Sequence, residues 1–305
     1  MTIIMKTKYI LNAVTLFFFA SLSYGQQETN FTFYRNNMNI INPAYAGADA
    51  QTLVSSSFKS QWTGVKDAPE TQAVSFGTTT GQRLGLGLSV INDKTFVEKQ
   101  TSVFVDFSYL VPINETVDLY LGVKAGGNFY DVNVTGLETY NVQTDPSLVN
   151  ISRFNPNFGV GAYLKSEKWF ASFSSPKILS TQRAKNEDGV ATVASDRVHM
   201  YFSAGYDLDL NDVLILKPST LLRYVNGAPV SADITSVLHY REQFGVGVAY
   251  RTDRALSTLA SIQVSNWLDF GYAYEYSMRS ELVDRARGSH EFFLKFNLTP
   301  KANKK

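Results

Sequence analysis

The chain has 305 residues, with 28 Lys and Arg against 27 Asp and Glu, and it contains no cysteine. This charge balance argues against a nucleic-acid partner bound through a basic face. The missing thiols exclude disulfides, thiolate zinc sites and thiol catalysis. Charged residues make up only 18% of the chain, against about 25% in an average soluble domain. With 13% aromatic residues, the composition indicates a membrane protein or an all-β protein.

The first 25 residues have the organisation of a secretory signal peptide. Lys6 and Lys8 precede an apolar run at 9–20, and small residues lead to Gly25 before a polar stretch begins. A basic start, an apolar middle and a small-residue exit are typical of cleaved export signals. The run is short for a membrane anchor, which needs about 20 residues. We therefore expect residues 1–25 to be a signal peptide that is cleaved near Gly25.

The segment 26–52 comes next and precedes the first predicted strand. Its part at 31–50 is too apolar and aromatic for a free linker, and Asn42 followed by Pro43 predicts a turn within it. One interpretation is a short periplasmic cap or lumen plug that covers its own apolar side chains. The other is a docking segment for a periplasmic partner. The two interpretations are compatible.

From residue 53 onward, apolar residues alternate with small or polar ones. The pattern is clearest at 84–90 and 244–250, and helical periodicity is absent. Most of the alternating runs are longer than the roughly 5–6 residues of a typical globular strand and match tilted membrane-spanning strands. The fourteen predicted strands lie near 53–62, 70–80, 84–92, 98–111, 117–130, 156–165, 168–175, 197–208, 213–226, 230–241, 243–251, 256–264, 267–278 and 288–299.

Short and long connections between these strands alternate along the chain. Every second connection is a tight turn, whereas the others include the stretches 131–155, 176–196, 63–69, 93–97 and 279–287. Transmembrane barrels have short periplasmic turns and longer external loops. A sheet in hydrocarbon must also close, because unpaired backbone groups are costly there. We therefore predict an all-β, antiparallel, up-and-down transmembrane β-barrel over 53–299, with a basic tail at 300–305 and both termini periplasmic. A soluble, secreted all-β protein is the alternative.

The alternation also assigns side chains to the two faces of the predicted barrel. Apolar positions would face lipid, and polar positions would face the lumen. The expected lumenal residues are Asp106, Lys124, Lys217, Arg223, Asp233, His239, Asp269, Glu275 and Lys295. Aromatic residues near strand ends suit the interfacial girdles, and these are Trp62, Tyr109, Trp169, Tyr250 and Trp267.

Motifs that would carry chemistry are weak in this sequence. Glu291 follows His290 directly, but neighbouring strand residues point to opposite faces, so the two cannot cooperate. His199 and His239 lie far from His290 in sequence, and a hydrolase at the rim would need a triad assembled from such distant residues. Spacings typical of metal ligands are missing. We predict no catalytic residue, no cofactor and no metal.

Two Gly-x-Gly pairs superficially resemble nucleotide-binding fingerprints. They are Gly85 with Gly87 and Gly159 with Gly161, and neither opens a helix whose amides would cradle a phosphate. We expect these glycines to relieve barrel curvature or to make room for aromatic neighbours.

Several sequence blocks, in chain order, resemble the PorP/SprF family. They are Asn42-Pro43-Ala44-Tyr45-Ala46-Gly47, Gln61-Trp62-x-Gly64, Ala68-Pro69-x-Thr71-Gln72, Gly85 to Lys94, Asn155 to Tyr163, Leu216-Lys217-Pro218-Ser219, Tyr224 to Pro229, Gly271 to Tyr276 and Gly288 to Glu291. The resemblance implies an outer-membrane barrel of the type IX secretion and gliding-motility apparatus. It also implies partners: periplasmic and outer-membrane secretion components, among them a lipoprotein, or a secreted adhesin held through its C-terminal domain. The family has no catalytic residues to carry over.

The resulting hypothesis is a non-enzymatic barrel that helps to secrete or anchor a surface protein. A passive or substrate-selective channel is the alternative, motivated by the charged residues expected in the lumen. The family-motif positions expected to contact a partner or to cap the barrel are Asn42, Pro43, Ala44, Tyr45, Gly47, Gln61, Trp62 and Gly64.

Overall fold

The computed structural model describes residues 30–135, 150–180, 197–278 and 286–299. Within these ranges the chain forms one antiparallel sheet preceded by a short helical segment. The strands are β1 (Leu53–Ser60), β2 (Glu70–Thr80), β3 (Leu84–Thr95), β4 (Glu98–Pro112), β5 (Val117–Val132), β6 (Ile151–Ser166), β7 (Trp169–Ser175), β8 (His199–Tyr206), β9 (Leu208–Asn211), β10 (Leu214–Val225), β11 (Ser231–Tyr240), β12 (Phe244–Arg251), β13 (Ala255–Ser265), β14 (Leu268–Ser277) and β15 (Ser289–Asn297).

The sheet closes on itself. β1 pairs with β15 from Leu53 opposite Asn297 to Ser60 opposite His290, and β10 pairs with β11. β8 and β9 both pair with β10 and form one crossing that is interrupted at Asp207. Fourteen crossings therefore make up the wall, and the predicted antiparallel barrel is confirmed.

The connections differ between the two ends of the barrel. At one end, called the turn end below, the strands are joined by the short connections 81–83, 113–116, 167–168, 212–213, 241–243 and 266–267. The opposite end, called the loop end, carries longer connections such as 61–69. The predicted connection 93–97 at this end is shorter than expected. β3 continues to Thr95, so only Phe96 and Val97 separate it from β4. Most of the predicted connections 131–155, 176–196 and 279–287 lies outside the described residues, as do the predicted signal peptide at 1–25 and the basic tail at 300–305.

β5 and β6 extend beyond the predicted strand ends. β6 begins at Ile151, opposite Val132, rather than near 156. The rings of Phe129 and Phe154, whose centroids lie 4.8 Å apart, pack across the added pairs. Cross-strand aromatic pairs of this kind stabilise pairing between two strands. They can therefore support the part of the β5–β6 hairpin that extends beyond the predicted membrane-spanning strands.

The outer wall of the barrel is apolar. Along β12, Phe244, Val246 and Val248 are exposed, whereas Gly245 and Arg251 between and beyond them are buried. Exposed aromatic residues gather near both rims: Tyr109, Tyr206, Tyr240 and Trp267 at the turn end, and Tyr224, Tyr250 and Tyr276 at the loop end. This arrangement suits a lipid-facing band between two interfacial girdles.

One residue expected in the girdles lies elsewhere. Trp62 lies in the connection after β1, where it adopts a positive φ of 49°. It follows the last strand residue, so the alternation of faces does not dictate where its side chain points. Trp169 lies opposite the exposed Tyr206 and shares the phase of the exposed Phe173, so it is on the outer face at the turn end as expected.

The nine polar residues expected in the lumen all lie on the inner face. Asp106, Lys124, Arg223, Asp233 and Glu275 are buried. The others, Lys217, His239, Asp269 and Lys295, line a cavity within the barrel.

Residues 30–52, called the lumenal segment below, lie inside the barrel. They contain a 3₁₀ turn at Tyr34–Asn37, one turn of α-helix (α1, Met38–Ile41) and a second 3₁₀ turn at Pro43–Tyr45. Apolar side chains of the segment pack against the inner wall. The main cluster comprises Tyr34, Met38, Ala44 and Ala48 of the segment with Tyr120, Tyr163, Phe170, Tyr201 and Leu221 of the strands. The segment therefore fills a large part of the interior.

Helices contribute little else to the part of the chain that the structure describes. In those ranges, none of the helices has the length and apolar character needed to cross a membrane.

Candidate functional site in the barrel lumen

The candidate site is the lumenal segment together with the wall residues that hold it. At mid-height, Lys124 of β5 donates hydrogen bonds to the carbonyl oxygens of Asn39 and Ile40, at 3.1 and 3.0 Å. Its ammonium also lies 3.3 Å from Asp106 of β4, and both side chains are almost completely buried. A buried charge pair is costly to break, because the remaining partner is left unpaired and without water. This pair therefore fixes α1 to the wall.

The turn predicted at Asn42 is built around its side chain. The Asn42 Oδ1 atom accepts a hydrogen bond from Ala44 N at 2.9 Å, which caps the following 3₁₀ turn. The Nδ2 atom donates to Ala162 O at 3.0 Å and to Ser172 Oγ at 2.7 Å. Asn42 is fully buried. Buried polar groups need hydrogen-bond partners, and these three contacts supply them for both the oxygen and the nitrogen of its amide.

Small residues of the wall make room for the backbone of the segment. A Cβ atom at Gly85 would overlap the carbonyl of Ala46, and one at Gly122 would overlap the backbone of Ala44. The prediction that glycine relieves curvature or aromatic crowding is therefore wrong for Gly85, where the neighbour is the segment's main chain. The backbone of the segment therefore packs directly against the glycines of β3 and β5, where a larger residue would not fit.

At the turn end, Asp49 anchors the segment. Its carboxylate lies 2.6 Å from Lys165 Nζ and accepts a hydrogen bond from the Tyr45 hydroxyl at 2.6 Å. Burial alone would raise the pKa of Asp49, but the charges of Lys165 and Lys295 outweigh it and lower the pKa to about 2. Burial and the nearby Asp49 carboxylate raise the pKa of Tyr45. The carboxylate is therefore ionised, and the phenol remains a hydrogen-bond donor, at neutral pH.

At the loop end, the segment is held by Glu291 and Lys59. The Glu291 carboxylate accepts hydrogen bonds from Thr32 N at 2.6 Å and Phe33 N at 3.0 Å. Lys59 donates to Asn30 O at 2.7 Å and lies 4.0 Å from Glu291. Both side chains are 2% exposed.

Lys59 also begins a chain of buried ion pairs that runs around the wall. It lies 3.3 Å from Glu275, which lies 3.1 Å from Arg251. Arg251 lies 2.6 Å from Asp233, which lies 3.1 Å from Arg223. These residues lie on β1, β14, β12, β11 and β10. Their ion pairs therefore link five strands on one side of the barrel, near its loop end.

A cavity of about 540 Å³ remains beside the segment. It reaches the turn end and is lined by charges of both signs, including Arg35, Asp207, Lys217 and Asp269. Asp207 lies 3.0 Å from Arg35 and 3.6 Å from Lys217. The segment therefore packs against one side of the lumen, and a cavity that reaches the turn end remains on the other side.

The eight family-motif positions fall into two separate places. Five of them, Asn42, Pro43, Ala44, Tyr45 and Gly47, belong to the lumenal segment. The other three, Gln61, Trp62 and Gly64, belong to the connection after β1 at the loop end.

That connection continues the ladder between β1 and β15. Thr63 N donates to Gly288 O, and Arg287 N donates to Thr63 O, each at 2.8 Å. Gln61 N donates to Pro69 O at 2.9 Å and closes the loop. The motif residues at 61–64 are therefore part of an ordered rim.

Sequence reasoning missed Lys59, Glu291, Arg251 and Lys165 as lumenal residues. A signal was present, because Lys59 continues the phase of Ser55 and Ser57, and Glu291 shares the phase of Lys295. Their partners could not be inferred, because Thr32 and Glu291 are separated by 259 positions in the sequence.

The histidines do not form a site. His290 Nδ1 lies 2.8 Å from the Tyr272 hydroxyl, while the neighbouring Glu291 points into the lumen. His199 stacks on Tyr201, with ring centroids 6.3 Å apart, and His239 lines the cavity. Among the described residues, groups of three or more His, Asp or Glu side chains suited to a metal ion are absent.

The family model described as "Type IX secretion system membrane protein PorP/SprF" matches residues 23–296. The chain belongs to the PorP/SprF family. The resemblance found in the sequence blocks is thereby confirmed. A closed barrel with an apolar outer wall is the form that outer-membrane proteins take, and this PorP/SprF protein is located in the outer membrane.

The search of curated proteins found no match. Solved structures similar to this PorP/SprF barrel include the outer membrane protein Omp33 of Acinetobacter baumannii, with a TM-score of 0.48 and 7% identity over 81% of this chain and 98% of that one. The monoaromatic hydrocarbon channel CymD has a TM-score of 0.47 and 12% identity, over 84% and 91%. The KdgM porin has a TM-score of 0.38 and 9% identity, over 80% and 98%. Similarity at this level carries no argument about function.

Proposed function

We propose that this PorP/SprF family member is a non-enzymatic barrel that helps to secrete a surface protein or to anchor it at the cell surface. The observation that carries the proposal is the filled lumen. The chain's own lumenal segment is held at the loop end by Glu291, at mid-height by Lys124 and at the turn end by Lys165. A lumen occupied in this way is poorly suited to conduct solutes or a polypeptide, which leaves the two rims as contact surfaces.

The loop-end rim offers a surface for the secreted partner. Val65 and Phe96 are 38% and 54% exposed there. Their loops are joined by the hydrogen bond from Phe96 N to Asp67 O at 3.1 Å. Exposed apolar side chains on an ordered rim commonly mark an interaction site. We propose that this patch, with the adjoining motif residues Trp62 and Gly64, contacts the secreted adhesin or its C-terminal domain.

The turn end is the proposed contact for periplasmic secretion components or a lipoprotein. The cavity opens there, and its mixed charges include pairs that remain partly exposed. Partly solvated charges can exchange partners at modest cost.

Deleting the gene and then comparing the proteins on intact cells tests the role. We expect at least one surface protein to disappear and to return with the wild-type gene. The double variant Val65→Ser/Phe96→Ser should restore less than the wild type, while Ile113→Ser should restore it fully. Ile113 is a matched control, because it is 55% exposed on a turn at the opposite end and is not among the residues that line the cavity of the proposed periplasmic contact. An unchanged set of surface proteins and unchanged attachment in the deletion strain would contradict the proposal.

A further inference from the structure

The two ends of the described chain lie at opposite ends of the barrel. Asn30 O accepts a hydrogen bond from Lys59, which lies next to the last residue of β1. Thr299 Oγ1 accepts a hydrogen bond from Thr52 N at 2.8 Å, immediately before β1 begins at Leu53. Because β1 crosses the barrel between Leu53 and Ser60, Asn30 and Thr299 are separated by the height of the wall. The expectation that both termini share the periplasmic side therefore does not hold for the amino-terminal end of the described chain.

The contacts of the lumenal segment follow its path from one end to the other. Thr32 and Phe33 meet Glu291 near the start of β15, and Asn39 meets Lys124 in the middle of β5. Asp49 meets Lys165 at the end of β6, next to a short turn. The segment thus runs from the loop end to the turn end before the chain enters β1.

The orientation of the barrel follows from its connections. All six connections at the turn end are tight, whereas the loop end carries the long ones. In outer-membrane barrels the short turns are periplasmic and the longer loops are external. Asn30 therefore lies at the external mouth.

We infer that the mature chain begins outside the cell and is threaded through the lumen of its own barrel. With cleavage near Gly25, only residues 26–29 precede Asn30. Four fully extended residues span at most about 14 Å, which is less than the roughly 25 Å height of the apolar band. The new amino terminus cannot reach back to the periplasm, so it joins the external face that carries the connection 61–69.

The wall encloses the segment along this path. Residues on β1, β4, β5, β6, β7 and β15 hydrogen-bond to it. The contacts of Ser57 on β1 and Glu291 on β15 lie on the two sides of the seam that closes the barrel.

The cysteine-free chain makes the topology directly measurable. We would introduce Glu28→Cys alone and treat intact cells with a maleimide that does not cross membranes. Lys66→Cys, exposed at the loop end, and Gln82→Cys, exposed at the turn end, are the matched controls. Amino-terminal sequencing of the purified protein would establish the cleavage site.

We expect Glu28→Cys and Lys66→Cys to be labelled to the same extent on intact cells. Gln82→Cys should be labelled only after the outer membrane is permeabilised. An epitope inserted between Gln27 and Glu28 gives a second test that does not depend on crowding around one thiol, and it should bind antibody on intact cells. Labelling of Glu28→Cys, or binding of the antibody, only after permeabilisation would overturn the inference. Neither measurement involves a secretion partner, so failure of the proposed function would leave this topology standing.

Discussion

Ion pairs hold the lumen together at both of its ends, but the two ends differ in their access to water. At the loop end, the side chains of Lys59, Glu291 and Arg223 are 2%, 2% and 6% exposed. At the turn end, Lys165 and Asp49 are 32% and 25% exposed, and the pair of Lys168 with Asp209 is about half exposed. Breaking a buried pair leaves an uncompensated charge, whereas water readily replaces the partner of an exposed one. The buried ion pairs of the loop end should therefore hold the segment rigidly, whereas the partly exposed pairs of the turn end can exchange partners.

The largest expected effect comes from removing the lumenal segment, which is held at both ends of the barrel. The intact protein should be electrically silent in planar bilayers, because the segment occupies the lumen. Deletion of residues 31–50 should produce ion conductance, since fourteen strands enclose a pore when nothing fills them. Heat-modifiable mobility on gels should show that the deletion variant still forms a barrel. Equal conductance of intact and deleted protein would favour the channel alternative.

A loop-end substitution should be next in size. Lys59→Met leaves Glu291 and Glu275 buried with one cation fewer, and we expect a loss of about 3–5 kcal/mol in the free energy of unfolding. Denaturant unfolding in detergent micelles would measure it. Adding Glu291→Gln should restore part of the loss, because the amide oxygen still accepts a backbone hydrogen bond without carrying a charge. A loss no greater than that of a turn-end variant would remove the distinction between the two ends.

A smaller and pH-dependent effect is expected at Asp49. Its pKa of about 2 is below the roughly 3.9 of an unfolded aspartate, so the ionised pair stabilises the fold above about pH 4. Asp49→Asn should therefore cost about 1–2 kcal/mol at pH 7. The difference from wild type should persist to pH 5 and vanish as the pH falls from about 4 to 2. A difference that is unchanged at pH 2 would show that the carboxylate's charge is not involved.

The smallest effect is expected where both partners are solvated. Lys168→Met breaks the 2.6 Å pair with Asp209, which lies at the surface of the turn end. Water and salt already screen such pairs. The unfolding midpoint should match that of wild type, and a clear shift would indicate that Lys168 has a further partner.

The strands could be predicted from the sequence because lipid and lumen impose a period of two on side chains. Phe244, Val246 and Val248 show the pattern directly, and the structure places them on the outer wall. Strand ends were less predictable. Ile151 joins β6 through pairing with β5, beyond the region where lipid dictates the alternation.

The interior could be predicted only in part. The phase of Lys124 identified it as lumenal, but its carbonyl partners at Asn39 and Ile40 depend on how the segment folds back into the barrel. The role of Gly85 was missed for the same reason, since the backbone that it accommodates is distant in sequence. Local patterns specify the wall, whereas contacts between distant parts of the chain specify its content.

The most direct test of the account asks whether the segment lies in the lumen of the protein in its membrane. Ser57 Oγ donates to Asn37 Oδ1 at 3.0 Å, and the neighbouring Ser56 lies on the outer face of β1. In native membranes, a short thiol-bridging reagent should link Asn37→Cys to Ser57→Cys, detected as a mass or mobility change that reduction reverses. The pair Asn37→Cys/Ser56→Cys should stay unlinked. Linkage of the Ser56 pair, or equal failure of both pairs, would contradict a barrel filled by its own amino-terminal segment.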